Sequence, residues 1–185
     1  MSRGFVKEDD SQAPPIIPPR AALPPNTPNY VTPRGLEQLR EELTALEAAR
    51  SQAEANRTND TDRTRQLGLL NGQLSQLTAR IASARVVDPR QQPADEVRFG
   101  ATVTLRPAGG AKPGGNQRPA SAKSAAERRF TIVGVDEASV AEGKVAFVAP
   151  IARAVLGAKL GQQVTLRLGP KEEAVEVAGI SYDGG

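Results

Sequence analysis

The sequence has no cysteine, no histidine and no tryptophan, and aromatic residues make up only 3% of it. Without cysteine, disulfides and thiolate zinc sites are excluded, and without histidine the usual general base and the commonest metal ligand are missing. Any metal bound by this chain would need carboxylate oxygen ligands, which suit a hard cation. With hydrophobic residues at 38% of 185, a small domain with an appended element fits better than one large core.

Long hydrophobic runs are also absent. No segment could span a bilayer, and the N-terminal residues lack the apolar core of a signal peptide, so we expect a cytoplasmic protein without membrane contact. The net charge of +3 and the sequence pI near 9.5 are mildly basic. This excess is too small to argue for nucleic-acid binding by itself.

The segment from Leu36 to Ala84 has apolar residues at the alternating three- and four-residue spacing of a coiled-coil seam. They are Leu36, Leu39, Leu43 and Leu46, then Leu67, Leu70, Leu74, Leu77, Ile81 and Ala84. Neither half is long enough for a stable helix alone, so we predict an antiparallel helical hairpin whose turn lies in Thr58–Thr61. This pairing places Leu39 opposite Ile81, Leu43 opposite Leu77 and Leu46 opposite Leu74.

Composition divides the rest of the chain. Residues 1–31 are rich in proline, which predicts a disordered, extended tail, or alternatively a docking peptide for a proline-recognition domain. The hairpin is assigned to residues 32–88, with Thr32 as N-cap and Pro33 at the first helical position. Residues 89–96 are assigned as a linker.

From Val97 the pattern changes to alternating, β-branched residues, which predicts strands. The predicted strands are 97–105, 129–135, 144–148, 164–168 and 174–180. Pro150–Gly157 is predicted to form a short helix, with proline at its start and glycine past its end. The fold class is therefore α+β, with a helical hairpin before a small β domain at 97–183 that has a mobile basic loop at 107–128.

Three segments of this domain resemble the bacterial Gre transcript-cleavage factors: Phe99–Val103, Ile132–Ala138 and Pro150–Gly157. Further matches in order and spacing are Gly161, Val164 and Ile180–Tyr182, and Thr32–Leu43 resembles the opening of the family's coiled coil. The resemblance covers about residues 30–183. It implies an antiparallel coiled coil followed by an FKBP-like antiparallel β domain with a short helix.

The resemblance implies RNA polymerase as the partner and a regulator of elongation, pausing or transcript cleavage. The family's C-terminal domain docks at the rim of the secondary channel, and its coiled coil presents two acidic residues to the active-site magnesium. Because the polymerase performs the cleavage, we expect no enzyme activity and no cofactor in this chain, and contact with transcript or DNA only inside the polymerase complex. A hairpin that satisfies its own seam predicts a monomer. The candidate docking residues are Pro150, Ile151, Arg153, Asp136 and Glu137.

The sequence departs from the family pattern at the tip. The family has an Asp, two residues and then Glu-Asn, whereas here Asp60 and Asp62 are separated by one residue and flanked by Arg57, Arg63 and Arg65. Both arms also look about a heptad shorter, which would withdraw the tip by about 10 Å. The two aspartates are therefore either weakened metal ligands or simple caps of the second helix, and a channel-binding regulator without cleavage stimulation is the alternative function.

Three further alternatives come from other features. Arg153 either contacts the polymerase or pairs with Glu137 or Asp136. A prolyl isomerase of FKBP type would need an aromatic-lined pocket, for which the domain offers Phe99, Phe130, Phe147 and Tyr182. The basic loop could touch nucleic-acid phosphates or be a solvated flexible loop, and its candidate contacts are Lys112, Arg118, Lys123, Arg128 and Arg129.

Overall fold

The computed structural model describes residues 15–57, 59–108 and 127–182, and at Leu168 it describes the backbone alone. The chain divides into two compact units. The hairpin unit comprises Met1–Arg20 and Leu39–Ala82, and the sheet unit comprises Ala21–Gln38 and Ser83–Gly185. No helix in the described part of the chain is long and apolar enough to cross a membrane.

Two helices of 23 residues each dominate the hairpin unit: α1, Pro33–Ala55, and α2, Asp60–Ala82. The break between them falls at residues 56–59, which overlaps the predicted turn at Thr58–Thr61 but begins two residues earlier, since Asp60 and Thr61 already belong to α2. Thr58 lies outside the described residues. The buried side chains of α2 are Leu70, Leu74 and Leu77, which keep the predicted four- and three-residue spacing. Of the predicted seam in α1, Leu39 is buried whereas Leu43 and Leu46 are half-buried. The three proposed leucine and isoleucine pairs stay a prediction.

The sheet unit is built on five strands in the order β5-β4-β3-β7-β6. They are β3, Thr102–Pro107; β4, Arg128–Val133; β5, Lys144–Ala146; β6, Gln163–Leu168; and β7, Lys171–Ser181. A short helix, α3, spans Pro150–Val155, and its Pro150 stands at the start as predicted. The α+β class and the hairpin followed by a small β domain are thereby confirmed.

The strand directions and one strand boundary differ from the prediction. β4 and β5 run parallel, whereas the other three pairings are antiparallel, so the sheet is mixed. The predicted strand 97–105 begins only at Thr102. Before it, Gly100 has φ of +87° and lies against Pro89, where a Cβ would come within 2.7 Å of the Pro89 Cγ. This tight turn interrupts the ladder, although Val97 and Phe99 are buried as an alternating strand would have them.

A second sheet, of two strands, forms from segments that the sequence predicted to be the disordered tail and the end of the second helix. β1, Asn29–Val31, pairs in parallel with β2, Ala84–Val86. Val31 is only 2% exposed, and the Asn29 side chain donates to the Ser83 hydroxyl at 3.1 Å. The prediction that residues 1–31 form one disordered tail is therefore wrong for Asn29–Val31, while residues 1–14 lie outside the described residues. Within the sheet unit, this pairing joins two segments that are more than fifty residues apart in the chain.

The core of the sheet unit lies between the five-stranded sheet and α3. Its fully buried side chains come from alternating strand positions, from one face of α3 and from the segment before β3. The members with 0% exposure are Val97, Ala101, Val103, Ile132, Ala152, Val155, Leu166 and Val177. A 3-10 helix, Pro89–Gln91, crosses the segment predicted as linker, and its Pro89 is buried.

Candidate functional site

The tip of the hairpin is organised by Asn59, which caps α2. Its Oδ1 accepts hydrogen bonds from the backbone N–H groups of Thr61, at 3.0 Å, and Asp62, at 3.3 Å. This satisfies amides that the first helical turn leaves without partners. The sequence reasoning offered Asp60 and Asp62 as the caps, and the structure corrects this by one residue.

The two tip carboxylates both have local partners. Asp60 pairs with Arg63 at 2.7 Å, three residues later on the same helix. Asp62 accepts a hydrogen bond of 2.6 Å from the side-chain amide of Asn59, which completes a reciprocal capping arrangement. The tip therefore directs an ion-paired and a hydrogen-bonded carboxylate to solvent, next to an arginine that offsets their charge.

The carboxylates of the described residues do not assemble a metal site. Among the described residues there is no group of three or more Asp, Glu, His or Cys side chains that could hold an ion. Asp60 and Asp62 are two positions apart on the helix, so their side chains point in different directions. Neighbours on one helix face are three or four positions apart. A metal at the tip would need most of its ligands from another molecule.

The second candidate surface is α3, which positions three of the docking candidates. Pro150 and Arg153 are exposed and Ile151 is half-buried against the core. Proline at the first position of α3 fixes its φ angle without losing an intrahelical hydrogen bond. Arg153 forms no ion pair with a described residue, so its guanidinium is available to a partner.

Glu137 has a different role from the one assigned to it with these residues. It is only 9% exposed, and its Oε2 accepts from the Thr32 backbone N–H at 3.1 Å and from the Gly134 N–H at 3.3 Å. Its Oε1 accepts from the Thr32 hydroxyl, which in turn accepts from the Gly35 N–H at 3.0 Å. The carboxylate thus lies at the positive N-terminus of α1, where it is stabilised. Glu137 is a structural residue, and it neither belongs to a docking surface nor pairs with Arg153.

Glycine at two positions makes room for this carboxylate. A Cβ at Gly35 would overlap the Glu137 side chain, and a Cβ at Gly134 would lie 2.7 Å from the Tyr30 carbonyl and 3.2 Å from the Glu137 Oε2. Asp136, the neighbouring candidate, is half-buried. The docking candidates that are exposed, Pro150 and Arg153, lie on α3.

Of the five candidate nucleic-acid contacts in the basic loop, the structure describes two, Arg128 and Arg129. Arg128 pairs with Glu173 on β7 at 2.8 Å, which fixes it to the sheet, while Arg129 is exposed on β4. Lys112, Arg118 and Lys123 lie outside the described residues, as does most of the loop predicted at 107–128. A nucleic-acid contact through this loop stays a prediction.

Three aromatic rings form a cluster beside an open cleft of about 500 Å³ in the sheet unit. The rings of Tyr30, Phe99 and Phe147 lie with centroids 5.7–5.8 Å apart in tilted and edge-on geometry, which aromatic pairs favour. Apolar lining also comes from Val87, Val97 and Leu156, with Glu96 and Arg98 at the same cleft. Sequence reasoning missed Tyr30, because its three-residue strand is too short to show a period.

Tyr182, at the end of the resemblance, fastens the last strand to the segment before β3. Its hydroxyl donates to the Glu96 carbonyl and accepts from the Arg98 N–H at 2.9 Å. Burial raises the pKa of the Tyr182 phenol above its ordinary value, although the Arg98 hydrogen bond acts in the opposite direction. Tyr182 therefore joins the last strand to the segment before β3, and its hydrogen bond to the Glu96 carbonyl requires the phenol to stay protonated.

We expect the sheet unit to lose stability in alkali through Tyr182. A folded-state pKa above the unfolded value means that the stabilisation is complete below about pH 10 and is lost as pH rises through the folded-state value. Urea denaturation at increasing pH, followed by tyrosine fluorescence, should show this decline. Tyr182→Phe should be less stable at neutral pH and should flatten the decline, and an unchanged slope in that variant would contradict the assignment.

Comparison with known proteins gives consistent findings over most of the chain. A family described as Transcription elongation factor, GreA/GreB, C-term, matches residues 120–182. Transcription elongation factor GreA of Thermodesulfovibrio yellowstonii is 28% identical over 166 residues, covering 83% of this chain and 96% of the relative. GreA of Ralstonia nicotianae is 30% identical over 166 residues, covering 82% and 96%. A solved structure, the prokaryotic transcription elongation factor GreA/GreB from Nitrosomonas europaea, is 22% identical with a TM-score of 0.37, covering 83% of this chain and 98% of that one.

Proposed function

Because this chain belongs to the GreA/GreB family of transcription elongation factors, we propose that it binds RNA polymerase at the secondary channel and occupies the channel without stimulating transcript cleavage. The hairpin would enter the channel and the sheet unit would dock at its rim. The chain would act in the cytoplasm as a monomer and would not itself be an enzyme.

The observation that carries the proposal is the state of the tip carboxylates. Asp60 is held by Arg63 at 2.7 Å and Asp62 by the Asn59 amide at 2.6 Å. To ligate the polymerase magnesium, each would have to give up its local partner, and Arg63 would bring a positive charge close to the cation. Carboxylate placement at a metal tolerates little error, so these two contacts favour occupancy without catalysis.

Docking is assigned to the exposed part of α3. Pro150 and Arg153 are exposed, and Ile151 anchors the helix on the core. Arginine provides a planar donor fork that binds a carboxylate in two places, which suits an acidic or carbonyl-rich surface on the polymerase. Asp136 lies outside this set of exposed residues, and Glu137 serves the fold.

The docking assignment is tested by charge reversal at Arg153. Arg153→Glu should weaken binding to RNA polymerase about tenfold or more, because a favourable charged contact becomes a repulsive one. Arg167→Glu is the matched control, since Arg167 is exposed on β6 and pairs with the nearby Glu172 at 2.8 Å. Equal affinity of the two variants in a direct binding measurement would exclude α3 as the docking element.

The absence of cleavage stimulation is tested with backtracked polymerase complexes. The full chain should bind these complexes, leave the transcript-cleavage rate at the level of polymerase alone, and reduce cleavage by an added active Gre factor through competition. Cleavage that rises with this chain and disappears in Asp60→Ala or Asp62→Ala would overturn the proposal, because the tip would then reach the metal. Thr64→Ala, one turn below the tip, is the control for nonspecific damage.

An aromatic-lined cleft alone does not favour the prolyl isomerase alternative, although the rings of Tyr30, Phe99 and Phe147 line one in the sheet unit and contact one another there. A fold of this kind does not by itself carry that activity.

A further inference from the structure

The described end of the N-terminal segment lies along the hairpin rather than apart from it. We call residues 15–20 the strap, and Gly68, Gly72 and Glu42 its seat. The Pro15 ring lies against Gly68, and the Ile17 side chain lies against Gly72. At its end, the Arg20 guanidinium binds both oxygens of Glu42 at 2.7 and 3.0 Å. The strap therefore contacts α2 through two apolar groups and α1 through one ion pair.

The contacts of the strap explain why two positions of the seat are glycine. They are four positions apart and so lie on the same face of α2. A Cβ at Gly68 would be 3.1 Å from the Pro15 Cγ, and one at Gly72 would overlap Ile17, with its Cγ1 at 2.7 Å. Glycine weakens a helix interior relative to alanine, so this face of α2 gives up helix stability to admit the strap.

The contacts of the strap lie at the surface of the hairpin unit. Arg20 is mostly covered, with 20% of its side chain exposed, while Glu42 remains 43% exposed. Ile16, between the two anchoring residues, is 92% exposed. An ion pair whose carboxylate is reached by solvent, together with apolar contacts at the surface, gives a seat that opens and closes rather than a permanent part of the fold.

We propose that the strap is an intramolecular cover that competes with RNA polymerase for this face of the hairpin. The inference rests on the proposed function, since the hairpin is the element that would enter the channel. The strap makes the hairpin thicker where it lies over α2. A narrow channel therefore admits the hairpin more easily when the strap is released. If the strap is closed nine-tenths of the time, its release tightens apparent binding about tenfold, because affinity scales with the competent fraction.

The decisive experiment locks the strap in its seat. The chain has no cysteine, so Ile17→Cys/Gly72→Cys introduces a single possible disulfide, and the 2.7 Å approach of Ile17 Cγ1 places the two sites within bonding reach. The oxidised double variant should bind RNA polymerase about tenfold or more weakly than the same protein after reduction. Each single cysteine variant should be indifferent to the oxidant. Equal binding by the oxidised and reduced double variant would overturn the inference.

A complementary experiment opens the strap by charge. Arg20→Glu faces Glu42 with a like charge and should tighten polymerase binding by up to about tenfold. Arg20→Glu/Glu42→Arg restores the opposite charges and should return the affinity to that of the unmodified chain. Arg40→Glu makes the same change of net charge at an exposed position of α1, two residues from Glu42, and is the control for the altered net charge.

The two proposals fail in different ways. Binding by every form with the same affinity would overturn the strap inference alone. If the disulfide forms but no form binds, then the proposed function is wrong and the strap has no polymerase to compete with. A double variant that resists oxidation in the folded state would show that the strap does not occupy this seat.

Discussion

Replacing Glu137 by alanine should lower the free energy of unfolding of the sheet unit by about 2–4 kcal/mol, one of the two largest single-site effects expected here. The carboxylate accepts from the Thr32 and Gly134 N–H groups and from the Thr32 hydroxyl, all in a buried setting. Its removal leaves these donors without partners and deletes a negative charge at the N-terminus of α1. Glu137→Gln retains one oxygen acceptor and should cost less.

Tyrosine fluorescence during urea denaturation measures this effect selectively. The two tyrosines, Tyr30 and Tyr182, both belong to the sheet unit. Glu172→Ala, which removes an exposed carboxylate from the β6–β7 pair, is the matched control and should leave the transition nearly unchanged. Thr32→Val combined with Glu137→Ala should cost less than the sum of the two single changes, because the residues share hydrogen bonds. Additive costs would contradict the described network.

The second large effect is expected in the hairpin. Leu77 is 0% exposed, and Leu77→Asp would bury a carboxylate without a partner, at a cost above about 4 kcal/mol. A helical hairpin whose stability comes from its seam should then lose most of its helix, because neither arm is stable alone. Far-ultraviolet circular dichroism should fall sharply while the tyrosine signal of the sheet unit persists.

Thr78→Asp provides the comparison for this loss of helix. Thr78 is the next residue along α2 and is exposed, so the same charge is added without burial. This variant should keep the helical signal of the unmodified chain. Full helicity in Leu77→Asp would show that the seam does not hold the arms together.

Local periodicity was sufficient to predict the large elements. The spacing of Leu70, Leu74 and Leu77 predicts a helix with one buried stripe, and α2 has that stripe. β-branched alternation likewise predicted the five strands of the larger sheet. Such patterns depend only on near neighbours in the chain, so they can be read without knowledge of the tertiary fold.

Long-range contacts account for the errors. β1 is three residues long, follows a proline-rich segment, and is stabilised by β2, which is distant in the chain. Glu137 looks like a surface acid, since its burial depends on Thr32, which is 105 positions away. Val97 is buried yet outside any strand, so alternation described its burial correctly and its hydrogen bonding incorrectly.

The N-cap of α2 shows a second limit of prediction from the sequence. Asn59, Asp60 and Asp62 are all residue types that cap helices well, so composition alone could not choose among them. Only the hydrogen bonds from the Thr61 and Asp62 amides assign the cap to Asn59. That shift of one residue frees Asp60 to pair with Arg63, and this pair underlies the proposed loss of cleavage stimulation.

The parallel pairing of β1 with β2 has a consequence for how this architecture can change over evolutionary time. Val31 pairs with Val86, and its carbonyl accepts the Val87 N–H at 2.9 Å, so the segments before α1 and after α2 are joined to each other inside the sheet unit. We call this pairing the neck, and the two helices are, in topological terms, an insertion in the chain between its two strands. Insertions or deletions of equal length in both arms would preserve the neck and the register of the seam, whereas a change in one arm would break the register. Arm length can therefore drift in paired steps of about seven residues without any compensating change in the sheet unit.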